Sequence, residues 1–571
     1  MPQSNASPQE YDAVIVGAGA GGGTAVRVLT DHGMKVCLLE AGPMLDPTTE
    51  FKEHQSFHDY NHRGVEDGGK FYFGEGKPYG FMTTTSGGWT LPGEPYTVGE
   101  GSQFKWFRSR IVGGRTNHYG RMSFRFSQMD LKARDRDGLG DNWPIDYSDI
   151  SPYYDKAESF IGVTGTVEGI PSAPDGIFEK APAPQVHTLL AREAGKKLGI
   201  PFIANRRAVI TSNKNGRAAC HYCGHCGRGC LTASAYSASQ VEIFPALESG
   251  RATLITGAMA REVSVDSNGK PNGVIYIDRD TRREVKISAK AVILAASSGE
   301  SARILLNSKS RYHPNGIGNS SGQVGRNLMD TVGFGLRGYV PYLEGMPHYD
   351  TNGFGGTHLY APWWAWDDHE KLGFPRGYHI EFGGGFRLPG PGSYHGAAQS
   401  LGYGAKMKKQ IREQYGAAVS FAGRGEMIAN DLSYCEIDPN VVDQWGIPVL
   451  KFHFKWSDHE WKQARHMEKS FTEIIDAMGG RVVGLANAAR EADGISVPGS
   501  IIHEVGTARM GERAETSVLN KFNQAWDAKN LFVVDGASFV SNPDKNPTLT
   551  INSLSWRASD YLAEEMRKGN V

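Results

Sequence analysis

Three glycines and one acidic residue near the start of the chain have the types and spacing of a nucleotide-binding site. Gly17, Gly19 and Gly22 follow the apolar run 13–16, and Glu40 closes a second apolar run. The first glycine permits a tight turn, the second lets the backbone approach a pyrophosphate, and the third lets helix and strand pack closely. The helix N-terminus offers N–H groups to phosphates, and the acid can accept hydrogen bonds from a ribose. This order of features predicts a dinucleotide site rather than a structural turn.

Four of the six cysteines form a second group of residues that could do chemistry, and their spacing is C-x2-C-x2-C-x3-C. They are Cys220, Cys223, Cys226 and Cys230. Bacterial-ferredoxin iron–sulfur ligands have this spacing, although no proline follows Cys230, and in two-cluster ferredoxins the fourth cysteine serves the other cluster. Zinc ligands usually fall into two separated pairs. The spacing therefore favours an iron–sulfur cluster, acting as an electron relay, over zinc or unligated thiols.

The elements that must position these residues are those of a mixed α/β chain. The runs 252–265 and 287–296 are rich in Val, Ile and Ala and are predicted to return to the parallel sheet of the first strand. From about 334 to 490, longer alternating segments such as 378–382 and 449–456 predict a mainly antiparallel sheet with flanking helices. Such a sheet could wall a substrate cavity.

These patterns divide the chain into two predicted domains. Residues 1–333 and 491–571 would form a discontinuous nucleotide-binding domain, and 334–490 a substrate-binding domain. The first domain would carry a lid-like insert at 45–105, which is rich in Gly, Pro and aromatic residues, and the cysteine loop at 218–232.

Composition excludes several classes of partner. The chain has 571 residues, of which 22% are charged, and a formal net charge of -1, so nothing indicates nucleic-acid or membrane-surface binding. No apolar run approaches the ~20 residues that span a bilayer. The first ten residues have neither the basic nor the apolar region of a signal peptide. Taken alone, these observations predict a cytoplasmic protein.

With these motifs the chain resembles the glucose–methanol–choline (GMC) oxidoreductases, FAD-dependent enzymes that oxidise alcohols. The resemblance covers nearly the whole chain in the family's order: the glycine motif with Glu40, Gly113-Gly114, VILAASSGESARILL, GQVGRNLMD, HEVGTARMG, VVDG and NPTLT. It implies a Rossmann-like FAD-binding domain beside the substrate domain, and FAD rather than NAD. The residues implied to hold FAD are Gly17, Gly19, Gly22, Glu40, Gly113, Gly114, Ala260, Asp535 and Gly536.

The family's catalytic pair corresponds to His503 and Asn546 in this sequence. To oxidise an alcohol, a group must take the hydroxyl proton while the carbon's hydride leaves to flavin N5. A neutral imidazole suits that role at physiological pH, and an uncharged Asn can hold the same oxygen without competing for the proton. In pyranose oxidases a histidine at the position of His118 is bonded covalently to the flavin. Three neighbours here differ from those of that family: Arg115, Asn117 and Tyr119.

The cysteine loop is similar to that of membrane-associated bacterial FAD sugar dehydrogenases, whose catalytic subunit carries a [3Fe-4S] cluster. Their ligands match Cys220, Cys226 and Cys230, with Cys223 dispensable; the spacing alone equally allows [4Fe-4S]. Those enzymes pair with a small subunit that bears the export signal and with a cytochrome c acceptor. The resemblance therefore implies a periplasmic location by co-export, with a cytoplasmic location as the alternative.

Within the family, HEVGTARMG and VVDQWGIPVLKFHFKWSD are most similar to glucoside 3-dehydrogenases and gluconate dehydrogenases. We therefore expect a sugar dehydrogenase that oxidises a secondary hydroxyl of a pyranoside, with C3 of a glucoside favoured over C1 of glucose. A gluconate dehydrogenase of the same architecture is a further alternative. An oxygen-using pyranose oxidase is the second interpretation, which a dedicated relay cluster disfavours. A non-catalytic electron carrier is the third, and it would have no use for a base at His503.

Overall fold

The structure is a computed structural model that describes residues 11–51, 53, 94–227, 229–346, 358–386, 402–486, 490–491 and 494–571. Most of the predicted lid-like insert lies outside the described residues, as do Arg228 of the cysteine loop and residues 347–357 and 387–401 of the predicted substrate domain.

The first sheet has a parallel core that starts at the N-terminal strand. In spatial order its strands are Gln524–Ala525, Ala528–Val533, Glu284–Leu294, Tyr11–Val16, Val36–Leu39 and Ala252–Ile255, of which the first pairs antiparallel. The central strands Tyr11–Val16 and Val36–Leu39 are buried on both faces, as their continuous apolar runs predict. The run 252–265 is in fact divided: Ala258–Val265 pairs antiparallel with Pro271–Asp278, which pairs with the start of Glu284–Leu294. Only the first part of that run joins the parallel strands.

The second sheet is antiparallel, as predicted for the substrate side. In spatial order its strands are Arg481–Leu485, Val332–Tyr339, Ala418–Gly425, Tyr378–Gly384, Leu359–Ala361 and Ile203–Ala204. The last of these comes from outside the predicted substrate domain. The segment predicted at 449–456 forms a strand, Pro448–His453, but it belongs to a separate sheet with Tyr434–Val442 and Thr97–Val98. Alternation identified the strand but not its partners.

Helices cover both sheets, and a short parallel pair, Val163–Gly165 with Phe178–Lys180, completes the strands. The helices are Ala20–Asp31, Gln128–Leu131, Ala133–Asp137, Tyr147–Ile161, Val186–Leu198, Phe244–Glu248, Ser298–Asn307, His369–Leu372, Gly404–Gln414, Asp458–Ala477 and Thr548–Arg567, with 3-10 turns at Gly114–Asn117, Pro341–Leu343, Trp366–Asp368 and Gly536–Ser538 and a π-helical turn at Ser239–Ile243. One hydrophobic core contains residues of both large sheets, such as Ile15 and Phe421. The domain boundaries remain a prediction. No helix in the described ranges combines the length and apolarity needed to cross a bilayer.

Candidate active site

The glycine-rich turn has the geometry that a dinucleotide requires. Gly17 has a φ of +98°, and a Cβ there would lie 2.4 Å from the carbonyl oxygen of Ala295. A Cβ on Gly22 would lie 1.8 Å from the carbonyl oxygen of Gly17. Gly19 differs, because its φ is an ordinary -84° and a Cβ would meet nothing within 4 Å. The fold itself needs the first and third glycines, whereas the second leaves open space for a ligand.

Two buried acids lie beside this turn. Glu40 accepts hydrogen bonds from the backbone N–H groups of Ala18, at 3.0 Å, and Gly42, at 2.8 Å. Asp535 accepts from the Ser297 N–H at 3.0 Å and from the Ser301 hydroxyl at 2.5 Å. Burial raises the pKa of Glu40 and raises the pKa of Asp535 to about 6. Both carboxyls are therefore fixed in place, and each keeps acceptor capacity for a ligand hydroxyl.

One cavity of about 470 Å³ joins this turn to the predicted catalytic pair. The predicted site residues in its wall are Gly17, Gly19, Glu40, Gly114, His118, Ala260, His503, Asp535, Gly536 and Asn546. Gly22 and Gly113 do not line the cavity but contact residues that do. The Gly113 N–H donates to the Ala18 carbonyl at 2.8 Å. The fold thus gathers residues that are hundreds of positions apart in the chain.

His503 and Asn546 meet in this cavity. Asn546 Nδ2 lies 3.4 Å from His503 Nε2, and His503 Nδ1 lies 3.0 Å from Thr331 Oγ1. With the amide in this orientation, Nε2 carries the lone pair and the proton of the neutral ring is on Nδ1. Burial, followed by the positive charge of Arg424, lowers the pKa of His503 to about 3. The imidazole is therefore neutral at physiological pH and can accept a proton.

Asn546 has one atom without a partner. Its Oδ1 is buried and has no hydrogen-bond partner among the described residues, whereas Nδ2 is engaged. A buried unpaired acceptor costs about 1–3 kcal/mol unless a ligand satisfies it. A substrate hydroxyl in the cavity would supply the missing donor.

Sequence reasoning missed two charged residues of the antiparallel sheet that line the same cavity, Glu381 and Arg424. Glu381 Oε1 accepts from Asn546 Nδ2 at 3.3 Å, and Glu381 Oε2 lies 3.6 Å from Arg424 Nη2. Burial opposes ionisation of Glu381, but Arg424 and the hydrogen bond from His379 outweigh it and hold the pKa of Glu381 at about 2. The available signal was a carboxylate in a strand that is otherwise apolar apart from Tyr378 and His379, because such a group is seldom buried without a partner.

A second acid fixes the loop that carries His503. Asp330 accepts from the His503 N–H at 3.1 Å and from the Gly499 N–H at 2.7 Å. Burial, and then the nearby charge of Glu504, raises the pKa of Asp330 to about 7. Ile502, which precedes the histidine, has a φ of +66°, a conformation that β-branched residues rarely adopt. The loop therefore holds local backbone strain directly before His503.

His118 lies in the cavity wall, with Nε2 2.7 Å from the hydroxyl oxygen of Ser109. Burial, followed by the charges of Arg121 and Arg115, lowers the pKa of His118 to about 3. A covalent bond between this histidine and the flavin remains a prediction.

The cysteines lie outside this cavity, in a loop that contacts its wall. Cys220 Sγ accepts from the Tyr222 N–H at 3.4 Å, and Cys230 Sγ accepts from the Ala235 N–H at 3.5 Å. Burial raises the pKa of Cys220 to about 11, and the charges of Cys226 and Cys230 also act to raise it. Hydrogen bonds to sulfur are among the features that tune iron–sulfur clusters. The donors around these sulfurs therefore fit such a cluster.

Cys223 has a different partner, Glu53, which sequence reasoning did not select. Cys223 Sγ donates to Glu53 Oε1 at 3.1 Å, and His221 Nε2 lies 3.1 Å from the same oxygen. Within the described part of the chain, these three side chains form the one group of three potential metal ligands whose atoms lie within 4.8 Å of one another. No local pattern could have indicated this contact, because 170 positions separate Glu53 from Cys223.

Arg121 connects the cysteine loop to the cavity wall. It is fully buried, and its Nη1 donates to the carbonyl oxygens of Cys226, at 2.5 Å, and Tyr119, at 2.6 Å. A second buried arginine, Arg207, donates from Nε to the Gly120 carbonyl at 3.0 Å. Tyr119 and Gly120 both line the cavity. Arg121 thus links the cavity wall to the cysteine loop, and Arg207 bonds the same part of the wall.

A glycine turn with open space, an adjoining acid and a cavity with a neutral histidine define a dinucleotide-dependent oxidoreductase. Comparison with known proteins gives the family. Sequence profiles described as GMC oxidoreductase match residues 11–332 and 431–555, so the chain belongs to the GMC oxidoreductases. It is an FAD-dependent oxidoreductase that acts on CH–OH groups. The residues around the open space at Gly19 fit FAD, with Glu40 placed for the ribose; bound FAD supplies a hydride acceptor.

Related proteins cover the whole length of the chain. It is 29% identical to a 2-methyl-1,2-propanediol dehydrogenase of Mycolicibacterium austroafricanum, over 98% of this chain and 96% of that protein. It is 26% identical to a fructose dehydrogenase large subunit of Gluconobacter japonicus, over 98% of both. The crystal structure of pyridoxine 4-oxidase from Mesorbium loti shares the fold, with a TM-score of 0.60, 14% identity, and coverage of 97% of this chain and 99% of that one.

Proposed function

We propose that this protein oxidises a secondary hydroxyl of a pyranoside, with C3 of a glucoside as the preferred position. Bound FAD would supply the hydride acceptor at N5, and Cys220, Cys226 and Cys230 would hold an iron–sulfur cluster that relays electrons to a cytochrome-type acceptor. The observation that carries the proposal is the contact of Arg121 with both the cavity wall and Cys226.

The chain's own residues account for the proton. The lone pair of His503 Nε2 takes the proton of the substrate hydroxyl as a hydride leaves the carbon that bears that hydroxyl. The alcohol thereby becomes a ketone and loses two electrons. The unpaired Asn546 Oδ1 can accept a hydrogen bond from a hydroxyl of the bound sugar, and so hold the ring in position. Thr331 bonds Nδ1 and keeps the ring oriented.

Charged groups in the cavity support a substrate with several hydroxyls. Glu381 offers carboxylate acceptors and Arg424 offers guanidinium donors on the same wall, next to Asn546. Both groups already have partners within the protein, and the hydroxyls of a sugar could add hydrogen bonds to each of them. A relative named as a fructose dehydrogenase large subunit is in keeping with a carbohydrate substrate and with a partner subunit.

The relay is supported by proximity and charge. Burial lowers the pKa of the Arg207 guanidinium, and the charges of Cys226 and Cys220 oppose that shift. Buried guanidinium groups next to the cysteine loop favour an anionic cluster at this position. The cluster would accept electrons singly and pass them to an external one-electron acceptor.

Steady-state turnover of anaerobically purified protein tests the substrate. Glucose, methyl glucoside and gluconate are compared with an artificial dye acceptor and with oxygen. We expect turnover of methyl glucoside with dye but not oxygen, because a blocked anomeric carbon cannot be oxidised at C1. Activity confined to glucose or to gluconate would replace the C3 assignment.

A cysteine substitution tests the relay. Cys226→Ser should abolish reduction of a cytochrome c while flavin reduction by substrate continues. Cys435→Ser is the matched control, since Cys435 is buried in a strand outside the loop. Vigorous oxygen consumption that is unaffected by Cys226→Ser would mean that the enzyme is an oxidase and the cluster is not a relay.

We also propose that a small subunit bearing an export signal carries the folded enzyme to the periplasm. Cell fractionation of strains with and without that subunit tests this. Enzyme found only in the cytoplasm of a strain with the intact subunit would refute it.

A further inference from the structure

Glu53 is a buried carboxylate placed inside the cysteine loop, and no role has been assigned to it so far. Its side chain is 3% exposed. Oε1 faces Cys223 Sγ and His221 Nε2, each at 3.1 Å, while Oε2 accepts the backbone N–H of Leu231. The Glu53 carbonyl oxygen also contacts His225 Nδ1. These contacts on both its side chain and its backbone keep the carboxylate beside Cys223.

The four sulfurs therefore have unequal surroundings. Backbone N–H groups donate to Cys220 and Cys230, and the peptide of Cys226 is bonded by a buried arginine. Cys223 Sγ also receives an N–H, from His225 at 3.5 Å, but a carboxylate oxygen lies nearer to it.

This difference decides which sulfurs can hold iron. Iron ligation requires a thiolate, and a negative carboxylate in contact with sulfur disfavours that form by Coulomb repulsion. The Cys223 thiol also donates its S–H to the Glu53 carboxylate, and this hydrogen bond stabilises the protonated form that cannot bind iron.

We propose that Glu53 keeps Cys223 from binding iron, so that the loop assembles a three-iron cluster on Cys220, Cys226 and Cys230. The spacing of the loop alone equally allows four irons. This inference rests on the iron–sulfur cluster of the proposed function and states what sets its composition.

The test measures cluster composition rather than activity. The holoenzyme is reconstituted anaerobically with excess ferrous iron and sulfide, and iron and zinc are counted per flavin. An oxidised [3Fe-4S] cluster has an unpaired spin and an EPR signal, whereas an oxidised [4Fe-4S] cluster has none. The variants are Glu53→Gln, which keeps the shape and an acceptor for the Leu231 N–H, Cys223→Ser, and the double variant.

We expect the wild type and Cys223→Ser to keep the EPR signal under excess iron. Glu53→Gln should gain one iron per flavin and lose the oxidised signal. The double variant should return to the wild-type spectrum and iron content, because the added iron depends on Cys223. That reversal distinguishes freed ligation from general loosening of the loop.

Three results would overturn the inference while leaving the relay intact. They are an unchanged three-iron cluster in Glu53→Gln, a four-iron cluster in the wild type, and a zinc ion held jointly by Glu53, His221 and Cys223. Absence of iron and sulfide from every variant, including the wild type, would instead refute the iron–sulfur part of the proposed function, and this inference with it.

Discussion

Replacing Gly19 with Ala should separate FAD binding from folding. Gly19 has an ordinary extended backbone conformation, and an added Cβ would meet nothing within 4 Å. The substitution should therefore change the free energy of unfolding of the apoprotein by less than about 1 kcal/mol. The methyl group would instead enter the open space in which the pyrophosphate approaches the backbone.

The expected loss is in affinity for FAD. A hydrogen bond to a charged phosphate contributes about 1.5–3 kcal/mol, and displacing the phosphates from the backbone weakens at least one such bond. Each 1.4 kcal/mol is about tenfold in Kd, so Gly19→Ala should raise the Kd for FAD by roughly 10- to 100-fold. Titration of apoprotein with FAD, followed by flavin fluorescence, measures the Kd, and thermal unfolding of the apoprotein measures stability.

Gly22→Ala is the matched control, because its Cβ would lie 1.8 Å from the carbonyl oxygen of Gly17. That overlap forces the helix away from the strand, at a cost of about 1–3 kcal/mol or more in the apoprotein. If Gly19→Ala bound FAD as tightly as the wild type, the space beside Gly19 would not be the pyrophosphate position. Equal destabilisation of both apoproteins would refute the steric distinction.

Four further substitutions test the catalytic cavity and the loop that carries His503. His503→Ala should lower turnover by about 10²–10⁴-fold, the usual contribution of a general base, with flavin absorbance retained; full turnover would remove the base assignment. Arg424→Gln should raise the pKa of His503 and move the acidic limb of the kcat/KM profile to higher pH, because it removes a nearby positive charge. Glu381→Gln should move that limb to lower pH, because it removes a negative charge. If both variants shifted the limb in the same direction, these two charges would not control the pKa of His503. Asp330 has its folded pKa raised to about 7 from 3.8, so the folded state keeps a proton that the unfolded state releases. The stability it contributes is present at low pH and lost as pH rises from about 4 to 7. The free energy of unfolding of the Asp330→Asn apoprotein should therefore rise, relative to that of the wild type, by about 1 kcal/mol for each pH unit across that window. A difference between the two proteins that does not change with pH would refute this.

The location of the cofactor turn and of the chemically reactive residues followed from the sequence, because these signals are local. A strand, a turn and a helix form from adjacent residues, so Gly17 and Gly22 had interpretable roles before any tertiary contact was known. His503 and Asn546 were identified through the motifs that surround them, and the fold brings them to within 3.4 Å of each other. Their assignment as catalytic residues remains a prediction.

Tertiary structure alone decided what surrounds those residues. Glu381 lies 165 positions from Asn546, and Glu53 lies 170 positions from Cys223, so neither contact leaves a periodic or local pattern in the chain. The same reason explains the misassigned partners of the strand Pro448–His453: alternation reports one buried face, but not which sheet covers it. The sequence by itself thus predicted the class of cofactor and the candidate reacting side chains. The electrostatic setting of those side chains depends on distance in space, and only the folded chain determined it.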